Sequence, residues 1–179
     1  QREEEQRLAA AISSLKNADE ILAFFTLALA TGMRKSEILE ITASEVFDGE
    51  SGLSIVKRDT KNGTPRTIYL SAKAEDAIKK LMHGKAGAQR LFSLAPTMIC
   101  NGWRTARDNA RCPDLRLHDL RHEAISRMAD AGMSIGALSS MSGHKTSQML
   151  MRYVNASEAD IRAKLALAAS RKKDAVIYC

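Results

Sequence analysis

The three cysteines, Cys100, Cys112 and Cys179, are odd in number and none stands in the CxxC spacing of a structural zinc site, which argues against both a disulfide framework and a zinc ribbon. This usage predicts reduced thiols in an intracellular protein. No apolar run approaches the ~20 residues of a membrane span. The opening QREEEQR is charged where a secretory leader would be apolar. Together these predict a soluble, cytoplasmic protein with no membrane partner. The chain also begins without methionine, so a segment of something longer is expected. Internal repeats and low-complexity tracts are lacking, which excludes solenoids and disordered arrays. No carboxylate cluster of the kind that holds magnesium is apparent, so neither a metal nor another cofactor is expected.

What is present suits one domain with a sizeable core: 179 residues, 45% apolar and 27% charged. Lysine and arginine number 27 against 21 aspartates and glutamates, a net charge of +6. That balance favours a polyanionic partner, although a basic surface is as often only a solvated one.

The apolar periodicity predicts mostly helices. One runs from the start to about Leu15. KNADE then breaks the pattern, with Asp19 suited to cap the next helix. EILAFFTLALATG is apolar almost all round and ends in Gly32, as a buried helix with a glycine stop would. MRKSEILEI follows as a short amphipathic helix with Ile38, Leu39 and Ile41 inward, and Thr42 with Glu45 resembles a capping box. LSIV and RTIYL read as strands joined through KRDTKNGTP, a hairpin with a basic tip. Further helices are expected over 72–83, 96–111, 117–131, 134–141, 146–153 and 157–170, the last capped by Ser157 with Asp160. The fold class is therefore mainly α with a small antiparallel β-sheet.

Several residues stand where chemistry is favoured. Arg34 follows the glycine stop, at a junction that fixes its backbone, which suits a guanidinium meeting a phosphate in bidentate geometry. His118 and Arg121 are i and i+3 neighbours beside Leu117, Leu120, Ile125 and Met128, the border of a cleft wall. His118 and His122 are i,i+4 neighbours, a spacing that also binds zinc, but no glutamate follows His118 and no third ligand is near. In GHKTSQMLMRY, His144 sits in a polar turn, and Met149, Leu150 and Tyr153 recur at helical spacing, commonly the mark of a core stripe. Lys57, Arg58 and Lys61 on the hairpin each read, singly, as solvated.

Taken together, Arg34, Lys61, His118, Arg121, His144 and Tyr153 suit phosphodiester transfer. A tyrosine with a pKa of about 10 attacks only when a base takes its proton and cations hold the developing charge. Two arginines can clamp a pentacovalent phosphorus, and a lysine can protonate the departing oxygen, without a metal.

The strings ATGMRKSEILEI, TKNGTPRTIYL, LRLHDLRHEAIS and MSGHKTSQMLMRYVNAS resemble, in order and spacing, the boxes of the catalytic domain of the tyrosine recombinase (phage integrase) family, over about residues 17 to 170. The resemblance implies a site-specific DNA recombinase that cuts and rejoins double-stranded DNA through a covalent 3′-phosphotyrosyl intermediate. Under it, Arg34 and Arg121 bind the scissile phosphate and His118 accepts or donates a proton near it. Lys61 is the general acid, with Lys57 as competitor. His144 hydrogen-bonds the phosphate, Tyr153 is the nucleophile and Glu37 supports Arg34. Ser142, Leu150 and Glu123 depart from the family's usual residues, and Tyr69 and Tyr178 are rival tyrosines on paper. The resemblance further implies a catalytic domain over 1–170, a tail over 171–179 as candidate subunit-exchange arm, and an absent N-terminal DNA-binding domain. The active assembly it implies is a homo-tetramer on DNA, aided by accessory DNA-bending or directionality proteins. A type IB topoisomerase-like relaxing enzyme and a non-catalytic DNA-binding protein are the alternatives.

Overall fold

The fold is organised around α2 (Ala18–Thr31), whose near-continuous apolar sequence buries Ile21, Phe24, Phe25, Leu27 and Ala28. The chain is described here from a computed structural model, over residues 2–58 and 65–154 together with 158, 161, 162, 165 and 166. Lys61, most of the expected helix 157–170 with its Ser157/Asp160 cap, Tyr178, Cys179 and the tail 171–179 lie outside the described residues.

Helix α1 (Arg2–Ser13) lays Leu8 and Ile12, one turn apart, against α2 and against α5 (Pro96–Asn109). Phe25 stacks on Trp103 of α5 at 6.0 Å, and Phe24 meets Phe92 edge-on at 6.3 Å. On its remaining sides α2 packs against α4 (Ala72–Met82) and α6 (Asp119–Asp130). Burying each large aliphatic or aromatic side chain is worth about 1.5–3 kcal/mol, so α2 is the chief anchor of the elements that carry the site. It starts two residues earlier than Asp19 as N-cap would have set it. Asn17, left-handed at φ 67°, precedes the first turn, and Asp19 lies inside that turn, where a carboxylate favours the helix dipole.

After Gly32, α3 (Lys35–Leu39) buries Glu37, Ile38 and Leu39. Thr42 and Glu45 then bracket a single 3-10 turn, Ala43–Glu45, with the Thr42 N–H donating to Glu45 Oε2 at 3.0 Å. The sheet has three antiparallel strands in the order β1 (Val46–Gly49), β2 (Gly52–Lys57), β3 (Arg66–Tyr69), one strand more than the sequence predicted. β1 is mostly exposed and carries no alternating apolar pattern, so its pairing with β2 rests on backbone hydrogen bonds. β2 alternates inward at Leu53, Ile55 and Lys57, and Arg66 lies directly across from Lys57 in the register with β3.

The C-terminal part consists of α6, α7 (Ile135–Ser142) and the short α8 (Gln148–Met151). A second core of Ile125, Leu138 and Leu150, with Tyr153 and Val154 packed on it, ties the three together, and α7 also packs on β3. Met149 is exposed and not part of that core. The helix expected over 146–153 is only Gln148–Met151, which leaves Tyr153 just past its end in a turn whose N–H bonds back to Leu150 O at 2.9 Å. Similarly α6 begins at Asp119, with His118 at its N-cap position. Cys100 and Cys112 are free thiols, and among the described residues no helix is long and apolar enough to cross a membrane.

Candidate active site

Two left-handed glycines set the site. Gly32, at φ 62°, ends α2 and turns the chain so that Arg34 stands at the N-cap of α3. Gly143, at φ 69°, ends α7 and places His144 in the turn before α8. A Cβ at Gly143 would lie 2.6 Å from Arg66 Nη1, so the close approach itself requires glycine.

Glu37 supports Arg34 as expected, and does more. Its Oε2 accepts the Arg34 backbone N–H at 2.9 Å, and its Oε1 accepts Arg34 Nη1 at 3.2 Å. Arg66, across from Lys57 on the sheet, then grips both oxygens, Nη1 to Oε1 at 3.1 Å and Nη2 to Oε2 at 2.8 Å. Glu37 is 6% exposed. Burial alone would push its pKa up, but the bonds from Arg66 and the Arg34 N–H and the charges of both arginines outweigh that and hold it below its ordinary value. The carboxylate thus joins α3, β3 and, through Arg66, the Gly143 turn. Arg34 itself stays partly exposed, with a side chain 31% accessible.

Arg121 comes from the first turn of α6 and is buried. Its Nη1 donates to the Gly32 carbonyl, and its Nη2 donates to Ser142 O at 2.9 Å and lies 3.4 Å from a ring nitrogen of His144. One guanidinium therefore spans the ends of α2 and α7. Burial first, and the neighbouring charge of Arg34 next, lower its pKa to about 10, which leaves it a cation at neutral pH.

His144 is nearly buried. Ser142 Oγ donates to Leu138 O at 2.6 Å and sits 2.7 Å from His144 Nδ1, so the serine oxygen accepts the Nδ1 proton and Nε2 faces Arg121. Burial, then Arg121, Arg34 and Arg152, push the pKa of His144 down to about 4. The imidazole is neutral at physiological pH. Ser142, which departs from the family's usual leucine, therefore orients the histidine.

Tyr153 is held from two directions. Arg152 Nη2 donates to its hydroxyl at 2.9 Å and the guanidinium carbon lies 4.9 Å from the ring centroid. On the other side the hydroxyl meets His122 Nδ1, whose ring stacks on the phenol at 6.1 Å between centroids. His118 touches His122 edge-on at 4.7 Å. Arg121 feels the charge of Tyr153, and His144 feels Arg34, Arg152 and His122. Arg34, Arg121, His144 and Tyr153 thus share one electrostatic neighbourhood, and His118 borders it in a cleft with Arg34 and Arg121.

Lys57, the competing lysine, points inward, 4% exposed, with Nζ 2.9 Å from Glu45 Oε2. Its ammonium is held in an ion pair with the 3-10 turn. Tyr69 is exposed on β3. The zinc reading of His118 and His122 finds no third partner, since no group of three or more histidines, cysteines or carboxylates with metal-binding geometry occurs among the described residues. Arg66 and Arg152 join the site without having been singled out in the sequence, and His122 and Ser142 enter it in roles other than those their spacing suggests. The signals were present in the i,i+4 histidine pair, in the unusual serine before Gly-His, and in an arginine beside the tyrosine.

The chain is similar to proteins of known kind. The chain is 36% identical over 135 residues to a shufflon-specific DNA recombinase of Escherichia coli, a match covering 73% of this chain and 33% of that protein. It is 27% identical over 136 residues to the tyrosine recombinase XerA of Saccharolobus solfataricus, covering 76% and 46%. It therefore spans a third to a half of the length of these curated relatives. The solved catalytic domain of bacteriophage HP1 integrase superposes with a TM-score of 0.70 at 27% identity, covering 91% of this chain and 90% of that one. A XerA recombinase structure shares the fold at a TM-score of 0.69 and 20% identity, covering 94% and 64%. The phage integrase family model matches residues 1–160, and the chain belongs to that family.

Proposed function

We propose that the chain is the catalytic domain of a site-specific recombinase that cuts and rejoins double-stranded DNA through Tyr153, without a metal. The observation that carries this reading is the convergence of Arg34, Arg121, His144 and Tyr153 on one electrostatic neighbourhood, with its buried carboxylate, Glu37, already spent on Arg66 and Arg34. Two arginines whose nearest carboxylate is already bonded by Arg66 suit a phosphodiester and the charge that builds on its oxygens.

In this mechanism Arg34 and Arg121 hold the non-bridging oxygens and His144 adds a hydrogen bond from the α7–α8 turn. His118, at the edge of the cleft, exchanges a proton near the phosphate. Lys61 protonates the departing 5′-oxygen; the burial of Lys57 against Glu45 supports this choice. The phenol oxygen becomes bonded to phosphorus, leaving a 3′-phosphotyrosyl diester and a free 5′-hydroxyl, and the reverse steps rejoin the strand. The relative from Escherichia coli is by name a DNA recombinase specific for shufflons; the DNA segment recognised by this chain is a matter for binding experiments. Residues 1–170 are the catalytic domain, and 171–179 the arm exchanged between subunits of a tetramer on DNA. A preceding DNA-binding domain and accessory proteins complete the assembly, which works in the cytoplasm.

The test is incubation of the chain with a nicked suicide duplex in excess chelator. A covalent protein–DNA adduct in the wild type, absent in Tyr153→Phe, is the expected result. DNA binding without an adduct in either protein would contradict it.

A further inference from the structure

The Tyr153 hydroxyl has two partners among the described residues, and their chemistry differs. Arg152 carries only N–H donors, so the tyrosine oxygen accepts from it. The other partner, His122 Nδ1, lies within hydrogen-bond reach of the single phenol proton. In the tautomer that carries its ring proton on Nε2, the bare Nδ1 accepts that proton. His118, the histidine to which the resemblance gives a proton-transfer role, meets His122 edge-on and makes no bond to the hydroxyl among the described residues.

From this geometry we infer that His122 is the base that takes the Tyr153 proton as the phenol oxygen attacks phosphorus. This role rests on the recombinase reading above. The step balances simply. The O–H bond of Tyr153 breaks and its proton passes to His122 Nδ1. The Oη–P bond forms, the P–O5′ bond breaks, and the 5′-oxygen takes a proton from a lysine ammonium. During rejoining, the imidazolium of His122 returns its proton to the leaving phenol oxygen. Arg152, bonded to the same oxygen, stabilises the phenolate character that develops between these events.

The surroundings keep the base ready. From α6 it is faced by His118, Asp119 and Arg121, from the end of α8 by Arg152 and Tyr153, and from the Gly143 turn by His144. Burial, then His118 and Arg152, lower the pKa of His122, against a small opposing effect of Asp119. That direction favours the unprotonated imidazole, the form able to accept a proton.

The experiment is single-turnover cleavage of the suicide duplex by wild type, His122→Gln and His122→Gly, each on an ordinary substrate and on one with a sulfur bridging to the 5′ carbon. A thiolate leaves without a general acid, so sulfur relieves a missing acid and not a missing base. Both variants are expected to slow by roughly 100-fold or more, within the range of general-base contributions, on both substrates. Lys61→Ala should be rescued by sulfur. Added imidazole should restore part of the His122→Gly rate. The wild-type rate should fall at acid pH as His122 protonates, and that inflection should vanish in His122→Gln. Cleavage by His122→Gln within about threefold of wild type with an unchanged pH profile, or full rescue by sulfur, overturns the assignment and leaves Tyr153 chemistry standing. A wild type that forms no adduct overturns the recombinase reading and this role with it. Independently of cleavage, the ¹⁵N shift of His122 Nδ1 should change in Tyr153→Phe without DNA; an unchanged shift refutes the contact.

Discussion

Removing the carboxylate of Glu37 should be among the most damaging single changes to this domain. Glu37 accepts four hydrogen bonds, two of them from Arg66, whose side chain is 6% exposed and whose Nε has no partner among the described residues. In Glu37→Leu that guanidinium would be left buried and uncompensated. Breaking a buried pair in this way costs about 3–5 kcal/mol, a large share of the ~5–15 kcal/mol that holds a domain folded. The more exposed Arg34 contact adds less. Urea unfolding of wild type, Glu37→Leu, Arg66→Met and the double variant measures the effect. The double variant should be less destabilised than the sum of the singles by about 2 kcal/mol or more, because removing both charges removes the unpaired one. The pH dependence has a fixed sign. The folded pKa of Glu37 lies below its ordinary 4.5, so the unfolded chain takes up the proton first on acidification. Its contribution is fully present above about pH 4.5 and is lost as the pH falls through the folded value. A Glu37→Leu variant within about 1 kcal/mol of wild type, or strict additivity in the cycle, would refute the view that this pair clamps α3 to the sheet.

Other outcomes follow from the same geometry. His144 should titrate near pH 4 by NMR in the DNA-free protein, and Arg121→Met should raise that value; a midpoint near its ordinary 6.5 would contradict its placement against the arginines. Because the unfolded chain binds this proton at higher pH, His144 should also cost stability as pH falls from about 6.5 towards 4. Ser142→Ala removes the acceptor of the His144 Nδ1 proton, and should slow cleavage several-fold while lowering stability by only about 1–2 kcal/mol in thermal melts. Gly143→Ala forces a side chain into a left-handed turn and against Arg66, and should destabilise by about 1–3 kcal/mol in the same assay. Duplex binding measured by anisotropy should weaken steeply with salt, the behaviour expected of the proposed phosphate contacts by Arg34 and Arg121.

Much of this was legible in the chain. The buried α2, its glycine stop, the inward Ile38 and Leu39, and the Thr42/Glu45 turn follow from apolar spacing and cap chemistry, which act within a few residues. β1 was not legible, because VFDG has no alternation and its pairing partner lies across a turn. α8 is shorter than the expected 146–153 and α6 starts two residues later than expected, boundaries that apolar spacing defines least well. Of the site, the catalytic candidates were visible through the boxes that carry them. Their supports were not: Arg66 reaches Glu37 across 29 positions and His122 reaches Tyr153 across 31. No spacing rule reports contacts at such separations. His122 was seen, but as one half of a zinc-like pair; its role became readable only once the tyrosine hydroxyl was found against its ring.

The most direct test of the account is to digest the covalent adduct from the suicide duplex and locate the nucleotide by mass spectrometry. One modified peptide is expected, with the 3′-phosphate of the cleaved strand on the Tyr153 oxygen. A nucleotide on Tyr69 or Tyr178, or one joined through its 5′-phosphate, would contradict it.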